Sequence, residues 1–321
     1  MTTVLLVAER DDRGEIGQAT HQAITAANGL KDSRVTVVIA GDAPASVTSL
    51  PVDSVVTISP IDPADNGIYD QVTADLAALV SSSGPDLVMF GKTDFGSVVG
   101  ARLAFRIGAA FAPDCVEISN EAGVAGTVGV TRPVYGGSAL AEFEIASLPV
   151  VVTLRAGAFE AGTGTGTPTV EPFVSDSLES RPIVVTDTVA ETREGVRLED
   201  ADVVVSGGRG LGGPEPFSVL ADLADVLGGA VGASRAACDA GWIDHSHQVG
   251  LTGKTVSPNV YIAVGISGAS QHMAGCSSSR AIVAINKDGD SNIFKEARFG
   301  VVGDWEQVLP SFLATVRDLK A

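Results

Sequence analysis

The sequence predicts an α/β protein of two domains, residues 1–190 and residues 191–321. Short aliphatic runs alternate with longer helix-like runs, a pattern typical of parallel sheets covered by helices on both faces. The composition agrees with this class, because 45% of the residues are hydrophobic, only 5% are aromatic and 37 of 321 are glycine. The second half opens with an aliphatic run, a glycine-rich loop and a helix, which predicts a doubly wound, Rossmann-like domain.

The first domain is predicted to begin with a parallel sheet. The aliphatic and helical patterns indicate strands at Thr3–Ala8, Val35–Ala40, Ser54–Ser59 and Asp86–Phe90, and helices at Glu15–Ala27, Asp65–Ser82 and Asp94–Ile107. Asp94 is the predicted N-cap of the last helix, since its carboxylate can accept hydrogen bonds from free N–H groups of the first turn.

An antiparallel extension is predicted after residue 113, where the helical segments disappear. Four strand-like segments follow, Asp114–Ser119, Val124–Val134, Ser138–Ile145 and Val150–Arg155. With so little helix between them, they are expected to pair antiparallel. The next stretch, Ala156–Pro172, is rich in Gly, Thr and Pro and has no periodicity. It is either a linker, or a surface loop or extended strand of the first domain.

The second domain is predicted to begin near residue 191. The pattern indicates strands at Ala201–Ser206, Ala230–Gly232, Val260–Val264 and Ala281–Ile285, and helices at Pro214–Leu227 and Asp304–Lys320. Pro310 lies inside the last helix, where its missing N–H and its ring predict a break or a kink.

Charge and cysteine content argue against several classes of partner and site. The net charge of −18 disfavours nucleic acid and anionic membrane surfaces, which attract Lys and Arg. No apolar run approaches the roughly 20 residues of a membrane helix, and no targeting segment is evident at the N-terminus. The three cysteines are scattered, which argues against disulfides and thiolate metal sites. We therefore expect a cytoplasmic protein without a metal, a nucleic-acid partner or a membrane insertion.

A glycine-rich loop follows the first predicted strand of the second domain. Gly208, Gly210 and Gly213 satisfy G-x-G-x-x-G, which binds pyrophosphate when a strand precedes it and a helix follows. The acidic residue expected about 20 residues later is missing, since residues 228–232 read GGAVG, so a standard NAD site loses support. Arg209 inside the loop either reaches a phosphate or is a solvated residue of a tight turn.

Three further segments place polar residues at the ends of predicted strands. Gly232–Ala237 (GASRAA) offers a hydroxyl and a guanidinium at a helix start, and Gln248–Lys254 (QVGLTGK) is a polar glycine-rich turn. Each is equally compatible with an ordinary cap or surface turn. Tyr261–Asn286 is more specific, because an aliphatic strand runs into a Ser-Gly turn and His272, and a second aliphatic strand follows. Open α/β sheets bind ligands at such carboxyl ends of adjacent parallel strands.

Together these segments resemble the alpha subunits of electron transfer flavoproteins, also called the FixB family. Five segments occur in the family's order, GGRG at 207–210, GASRA at 232–236, QVG-TGK at 248–254, YIAVGISGA-QH--AG at 261–275 and IVAINKD at 282–288. The resemblance implies a nucleotide-hydrolase-like first domain and a Rossmann-like domain that binds FAD.

The resemblance also implies an electron-carrying subunit and not a self-sufficient enzyme. Members of the family form heterodimers with a beta subunit, and the FAD domain swivels on a base made by that subunit and the alpha N-terminal domain. The expected electron donors are dehydrogenases of the acyl-CoA type, as in fatty acid oxidation. The expected acceptor is a quinone oxidoreductase or another carrier, and docking with these proteins would be transient.

Residue by residue, the resemblance implies a set of FAD contacts in the second domain. Arg209 and Ser234 are expected at the FAD, Arg235 near the isoalloxazine ring, the Thr252 hydroxyl near flavin N5 and His272 near the pyrimidine carbonyl. The other expected contacts are Gln248, Val249, Gly250 and Leu251 along the flavin, Ser267, Gly268, Ala269, Ser270 and Gln271 around the pyrophosphate and ring, and Asn286, Asp304 and Trp305 at the adenosine end. Because reduction adds negative charge to the flavin, we expect His272 to tune it, with a pKa that rises on reduction.

Three positions depart from the family pattern, and two other functions remain open. Leu251 stands where Gln is common, and Ser270 and Trp305 stand where aliphatic residues are usual, which concerns the tuning of the potential and local packing. The residues also permit a nicotinamide-dependent dehydrogenase that uses the glycine loop, or a nucleotide-binding regulatory module.

Overall fold

The computed structural model of the chain divides into two compact units. One comprises Met1–Pro133 and Leu140–Glu191, and the other comprises Val134–Ala139 and Thr192–Ala321. The structure describes residues 1–11, 13–62, 68–120, 126–137, 139–162, 164–175, 185–187 and 196–320. Each unit is built around a parallel sheet with helices, which confirms the predicted α/β class.

The first 175 residues contain a seven-stranded sheet and a separate three-stranded sheet. The strands are β1 (Thr2–Val7), β2 (Ser33–Ala40), β3 (Ser54–Ile58), β4 (Leu87–Gly91), β5 (Ala110–Cys115), β6 (Glu117–Ser119), β7 (Val128–Val134), β8 (Ala139–Ile145), β9 (Val150–Leu154) and β10 (Thr169–Pro172). The helices are α1 (Gln18–Asn28), α2 (Asp70–Ser83) and α3 (Asp94–Ile107). The large sheet has the order β10-β3-β2-β1-β4-β9-β5.

Helices cover both faces of this sheet, as the aliphatic strands predict. Alternate residues of β1 point to opposite faces, so that Leu6 packs with Ile24 of α1 and Leu5 packs with Leu76 of α2 and Leu103 of α3. All five residues of β4 are buried, as a strand covered on both sides requires.

The position of β9 corrects one prediction. Val150–Arg155 was expected in the antiparallel extension, but β9 lies between β4 and β5 and pairs parallel with both. All five of its residues are buried, and this continuous apolar run is the signature of a central parallel strand. An antiparallel pairing does exist between β6 and β7, in the small sheet of order β6-β7-β8. Val124 and Ser138, the predicted starts of two strands, lie outside the described residues.

The glycine-rich stretch after β9 ends in an edge strand. Residues Thr169–Pro172 form β10, which pairs parallel with β3. The alternative of an extended strand within the first domain is therefore correct for these four residues. Asp65, the predicted start of the second helix, lies outside the described residues, and that helix is described from Asp70.

Thr93, and not the predicted Asp94, is the N-cap of α3. Its Oγ1 accepts a hydrogen bond from the Gly96 N–H at 2.9 Å and donates one to Glu9 Oε1 at 2.6 Å. Burial raises the pKa of Glu9 from 4.5 to about 7, although the hydrogen bond from Thr93 lowers it, and the nearby charge of Asp94 raises it further. A hydroxyl can serve both groups at once, whereas a carboxylate in its place would face Glu9 with like charge.

The second unit contains a five-stranded parallel sheet. Its strands are β11 (Val203–Gly207), β12 (Ala230–Ala233), β13 (Val260–Val264), β14 (Ile282–Asn286) and β15 (Phe299–Val302). Its helices are α4 (Phe217–Leu227), α5 (Arg235–Asp239), α6 (Ser270–Cys276), α7 (Ile293–Glu296) and α8 (Trp305–Lys320). The order β12-β11-β13-β14-β15 is one of the two common doubly wound orders, which confirms the predicted Rossmann-like class.

The predicted break of the last helix at Pro310 is wrong. Helix α8 runs without interruption from Trp305 to Lys320, because Leu309 and Leu313 anchor it to the core while Pro310 itself is exposed. The N–H that Pro310 lacks would have bonded the carbonyl of Glu306 in the first turn, where water can replace it. No helix among the described residues is long and apolar enough to cross a membrane.

Candidate functional site

A cleft opens at the carboxyl ends of the parallel strands of the second unit. Segments that follow β11, β12, β13 and β14 line it, and its volume is about 710 Å³. The chain leaves β11 for an edge strand and then returns to β13 on the other side, so the cleft lies at the topological switch point of the sheet. Open α/β sheets bind their ligands at this point, and the volume lies in the range of ligand sites.

Most of the expected contact residues meet in this cleft. Those that line it are Arg209, Ser234, Arg235, Gln248, Val249, Gly250, Leu251, Thr252, Ser267, Ala269, Gln271, His272 and Asn286. Gly268, Ser270, Asp304 and Trp305 do not line it. Sequence reasoning missed eight further lining residues, Gly210, Ala236, Asp239, Gly265, Ile266, Lys287, Asp288 and Ser291. Asp239 and Ser291 lie two and three residues beyond segments that the sequence analysis singled out, and the other six lie inside them, so proximity to a strand end was the available signal.

The glycine loop after β11 does not have the geometry of a pyrophosphate cradle. The Gly208 N–H donates to the Val264 carbonyl at 2.8 Å, and the Gly210 N–H donates to the Gly265 carbonyl at 2.9 Å. A Cβ at Gly208 would lie 2.2 Å from that Gly265 oxygen, so close approach of two backbones requires glycine here. Because these N–H groups are occupied and α4 begins only at Phe217, the loop cannot present them to a phosphate.

Arg209 is the polar group that this loop offers to the cleft. Its side chain is exposed, and among the described residues it has no hydrogen-bond or ion-pair partner. The two backbone bonds beside it hold the loop rigidly against the end of β13. The cation is therefore positioned at the cleft but left unpaired.

Ser234 and Arg235 begin helix α5 directly after β12. Ser234 occupies the N-cap position, yet its hydroxyl makes no capping hydrogen bond, and its buried Oγ has no partner among the described residues. Arg235 Nε lies 3.3 Å from Asp239 Oδ2, and both side chains are more than half exposed. An exposed pair of this kind contributes little to stability, so the arginine is free to engage a stronger partner.

The segment Gln248–Lys254 is held against strand β12 and helix α6 by backbone hydrogen bonds. The Leu251 N–H donates to the Gln271 carbonyl at 2.7 Å, and the Val249 N–H donates to the Ala233 carbonyl at 2.9 Å. Gln248 is buried, and its Nε2 donates to Thr252 Oγ1 at 3.0 Å. The segment thus presents the Thr252 hydroxyl and the exposed Leu251 side chain to the cleft.

His272 of α6 lines the cleft and contacts a buried tyrosine. Its Nε2 lies 2.9 Å from the hydroxyl of Tyr261 in β13, and both side chains are buried. Burial lowers the pKa of His272 to about 4, while the nearby Val249 carbonyl acts in the opposite direction. The imidazole is therefore neutral at pH 7, and its buried Nδ1 has no hydrogen-bond partner among the described residues.

The four expected residues outside the cleft lining occupy structural positions. Gly268 has a φ of +76°, and a Cβ there would lie 2.3 Å from the Ile293 nitrogen, so it permits the turn into α6. Asp304 Oδ1 accepts from the Glu306 N–H at the start of α8, and Trp305 packs against the core that includes Leu309. Ser270 is exposed at the first position of α6.

The lining of the cleft suits a ligand that combines an apolar ring with acidic groups. Val249, Leu251 and Ile266 supply apolar surface, while the cations Arg209, Arg235 and Lys287 outnumber the carboxylates Asp239 and Asp288. Two buried atoms of the lining residues, Ser234 Oγ and His272 Nδ1, have no partner among the described residues and are the kind of groups that a bound polar ligand satisfies. No cluster of residues able to hold a metal ion occurs in the described part of the chain.

Comparison with known proteins gives the same picture. Residues 197–277 match a family described as the electron transfer flavoprotein FAD-binding domain, and residues 4–178 match the electron transfer flavoprotein domain. The electron transfer flavoprotein subunit alpha of Mycobacterium leprae is 39% identical over 328 residues, which is 100% of both chains. That of Bacillus subtilis is 37% identical over 96% of this chain and 95% of its own, and the protein FixB of Clostridium saccharobutylicum is 39% identical over 78% of this chain and 75% of its own. The chain therefore belongs to the electron transfer flavoprotein alpha-subunit family, and its second domain is an FAD-binding domain.

Proposed function

We propose that this chain is the FAD-carrying subunit of a heterodimeric electron transfer flavoprotein. It accepts electrons from dehydrogenases of the acyl-CoA type and passes them to a quinone oxidoreductase or another acceptor. The observation that carries the proposal is the cleft at the switch point, with two unpartnered buried polar atoms and an unpaired arginine around apolar walls. Membership of the alpha-subunit family supports an electron carrier.

The cleft residues would bind and tune the cofactor and would not turn over a substrate. Bound FAD supplies the redox chemistry, because its isoalloxazine ring accepts and releases electrons. Arg209 and Arg235 provide positive charge for the acidic parts of the cofactor, and Ser234 provides a hydroxyl that no protein group uses. Neutral His272 can provide an N–H for a flavin acceptor. The other expected contacts named from the family resemblance complete the proposed site.

The first domain, residues 1–190, is proposed to be the base that binds the beta subunit. In this proposal the beta subunit completes the flavin site, and the dehydrogenase and the acceptor dock only transiently.

A nicotinamide-dependent dehydrogenase has less support from this geometry. The N–H groups of the glycine loop are already bonded to the end of β13, so they cannot hold a pyrophosphate. Ser234 and Arg235 follow β12, where a dinucleotide-binding fold would have its ribose-binding acid.

Co-expression with the beta-type subunit of the same organism tests the proposal. We expect a yellow heterodimer whose flavin, released by denaturation, is FAD in a ratio of one per alpha chain, and whose absorbance bleaches with an acyl-CoA dehydrogenase and its substrate. A colourless complex that binds nicotinamide nucleotides would favour the dehydrogenase. A flavin-containing complex that no dehydrogenase reduces would favour a regulatory module.

A further inference from the structure

A buried tyrosine hydroxyl that does not line the cleft contacts the cleft histidine. Tyr261 is fully buried in β13, and its hydroxyl lies 2.9 Å from His272 Nε2. The other polar groups around this hydroxyl are Ser206 on β11 and Cys276 on α6, both buried and both uncharged at neutral pH. One imidazole nitrogen is thus engaged by an uncharged partner that cannot move away into solvent.

The other ring nitrogen of His272, Nδ1, lies in different surroundings. His272 Nδ1 is buried and has no hydrogen-bond partner among the described residues. A phenol hydroxyl is a stronger hydrogen-bond donor than acceptor, and the lone pair of a neutral imidazole is a good acceptor. The Tyr261 hydroxyl is therefore expected to donate to Nε2, which leaves the ring's own N–H at Nδ1, the nitrogen without a protein partner among the described residues.

The proton of the neutral imidazole can thus be placed. A neutral ring carries one N–H, and which nitrogen bears it is set by the partner of the other nitrogen. With the N–H at Nδ1, the Nε2 lone pair accepts from the Tyr261 hydroxyl. Burial raises the pKa of Tyr261 well above 10, so the hydroxyl keeps the hydrogen that this bond needs.

We propose that Tyr261 is a positioning residue that holds His272 as the neutral Nδ1–H tautomer, so that the ring offers one N–H donor at the FAD cleft. The inference rests on the proposed function only for its effect on FAD. Tyr261 does not line the cleft, yet it would control how His272, which does line it, forms hydrogen bonds. The Tyr261 hydroxyl and the Val249 carbonyl are the polar groups beside the imidazole, and the Cys276 thiol contacts the backbone carbonyl of His272 at 3.6 Å.

Nitrogen NMR of the ring tests the tautomer directly. The chain has only four histidines, so ¹⁵N-histidine labelling of the FAD-loaded heterodimer, with His272→Gln for assignment, isolates this ring. We expect a protonated Nδ1 and an unprotonated Nε2 from pH 5.5 to 8.5. A wild-type ring with the proton on Nε2, or a doubly protonated ring at pH 7, would overturn the proposal.

Tyr261→Phe tests whether the hydroxyl sets the tautomer. Its loss should give a mixture of both tautomers and weaken FAD binding about three- to tenfold, as expected for one hydrogen bond. Thr20→Val is the control, because it removes a buried hydroxyl from the first unit, away from Tyr261 in the sequence and in the fold, and should leave both readouts unchanged. A Tyr261→Phe protein that keeps a single Nδ1–H tautomer and wild-type FAD affinity would reduce Tyr261 to a packing residue.

The same spectra separate this inference from the proposed function. If the wild-type heterodimer contains no FAD, the proposed function fails, while the tautomer in the cofactor-free complex still tests the contact between Tyr261 and His272. If Tyr261→Phe does not fold, the wild-type spectrum still decides whether His272 is the neutral Nδ1–H tautomer.

Discussion

Replacement of Gly275 by alanine is expected to damage the FAD site through the backbone of a different segment. Gly275 lies in α6, and a Cβ built there would be 2.3 Å from the nitrogen of Gly250 and 2.5 Å from its Cα. Ordinary van der Waals contact begins at 3.4 Å, so the two segments must separate by about 1 Å. Overpacking of this kind costs about 1–3 kcal/mol.

Gly250 cannot absorb this displacement by itself. Its φ is +147°, and the hydrogen bonds from its own N–H to the Lys254 carbonyl and from Leu251 N–H to the Gln271 carbonyl fix it on both sides. The whole cleft-lining segment from Gln248 must therefore shift. Since ligand sites tolerate shifts of only about 0.5 Å, we expect FAD affinity to fall at least about tenfold.

The assay compares FAD dissociation constants, from flavin fluorescence, with thermal unfolding followed by circular dichroism. Gly100→Ala is the matched control, because Gly100 is also a buried helical glycine, but a Cβ there would lie 3.4 Å from Phe111 and Phe90. That variant should unfold at the same or a slightly higher temperature, because alanine favours helix by about 1 kcal/mol over glycine, and should bind FAD normally. Wild-type FAD affinity and stability in Gly275→Ala would refute the reasoning.

Three further changes have defined outcomes. Arg209→Ala should weaken FAD binding by about 1.5–3 kcal/mol, the value of a hydrogen bond to a charged group. The control is Arg317→Ala, since Arg317 is an exposed residue of α8 that does not line the cleft, and this variant should keep the wild-type dissociation constant. Equal affinities for the two variants would mean that Arg209 is only solvated. Arg235→Ala should lower the flavin midpoint potential measured by spectroelectrochemistry, since a nearby cation stabilises the reduced, more negative flavin. Each 1.4 kcal/mol of lost stabilisation lowers the potential of a one-electron couple by about 60 mV. An unchanged potential and an unchanged FAD affinity would contradict the place of Arg235 beside the ring. Glu9→Gln should change the pH dependence of stability. Because the pKa of Glu9 is raised from 4.5 to about 7, the native state keeps a proton in that pH interval that the unfolded state releases. The free energy of unfolding of the wild type should therefore fall by roughly 3 kcal/mol as the pH rises through the interval. Urea unfolding at pH 4.5 and pH 8 should show this loss in wild type and a smaller one in the variant, and equal losses would show that Glu9 is not the responsible group.

Local pattern in the sequence was sufficient for most elements and for the place of the site. Val260–Val264 is the same strand in sequence and structure, because an uninterrupted apolar run between Asn259 and Gly265 describes a central parallel strand wherever its neighbours lie. The same holds for α3, whose predicted span matches, although its cap does not. The site was also accessible, because polar residues after aliphatic strands meet at one edge of any parallel sheet.

Pairing and close approach were decided only by the tertiary structure. A buried strand looks alike in sequence whether it pairs with a near or a distant partner, which is why β9 was assigned to the wrong sheet. The glycines at 208 and 210 matched a phosphate-binding pattern, but they serve the approach of two backbones, since the pattern cannot tell which atoms will stand beside a missing side chain. Likewise, Tyr261 reads as an ordinary strand residue, and its contact with His272 exists only because β13 and α6 bring a hydroxyl and an imidazole within 2.9 Å. Sequence periodicity reports how strongly a residue is buried, and only the folded chain determines what it is buried against.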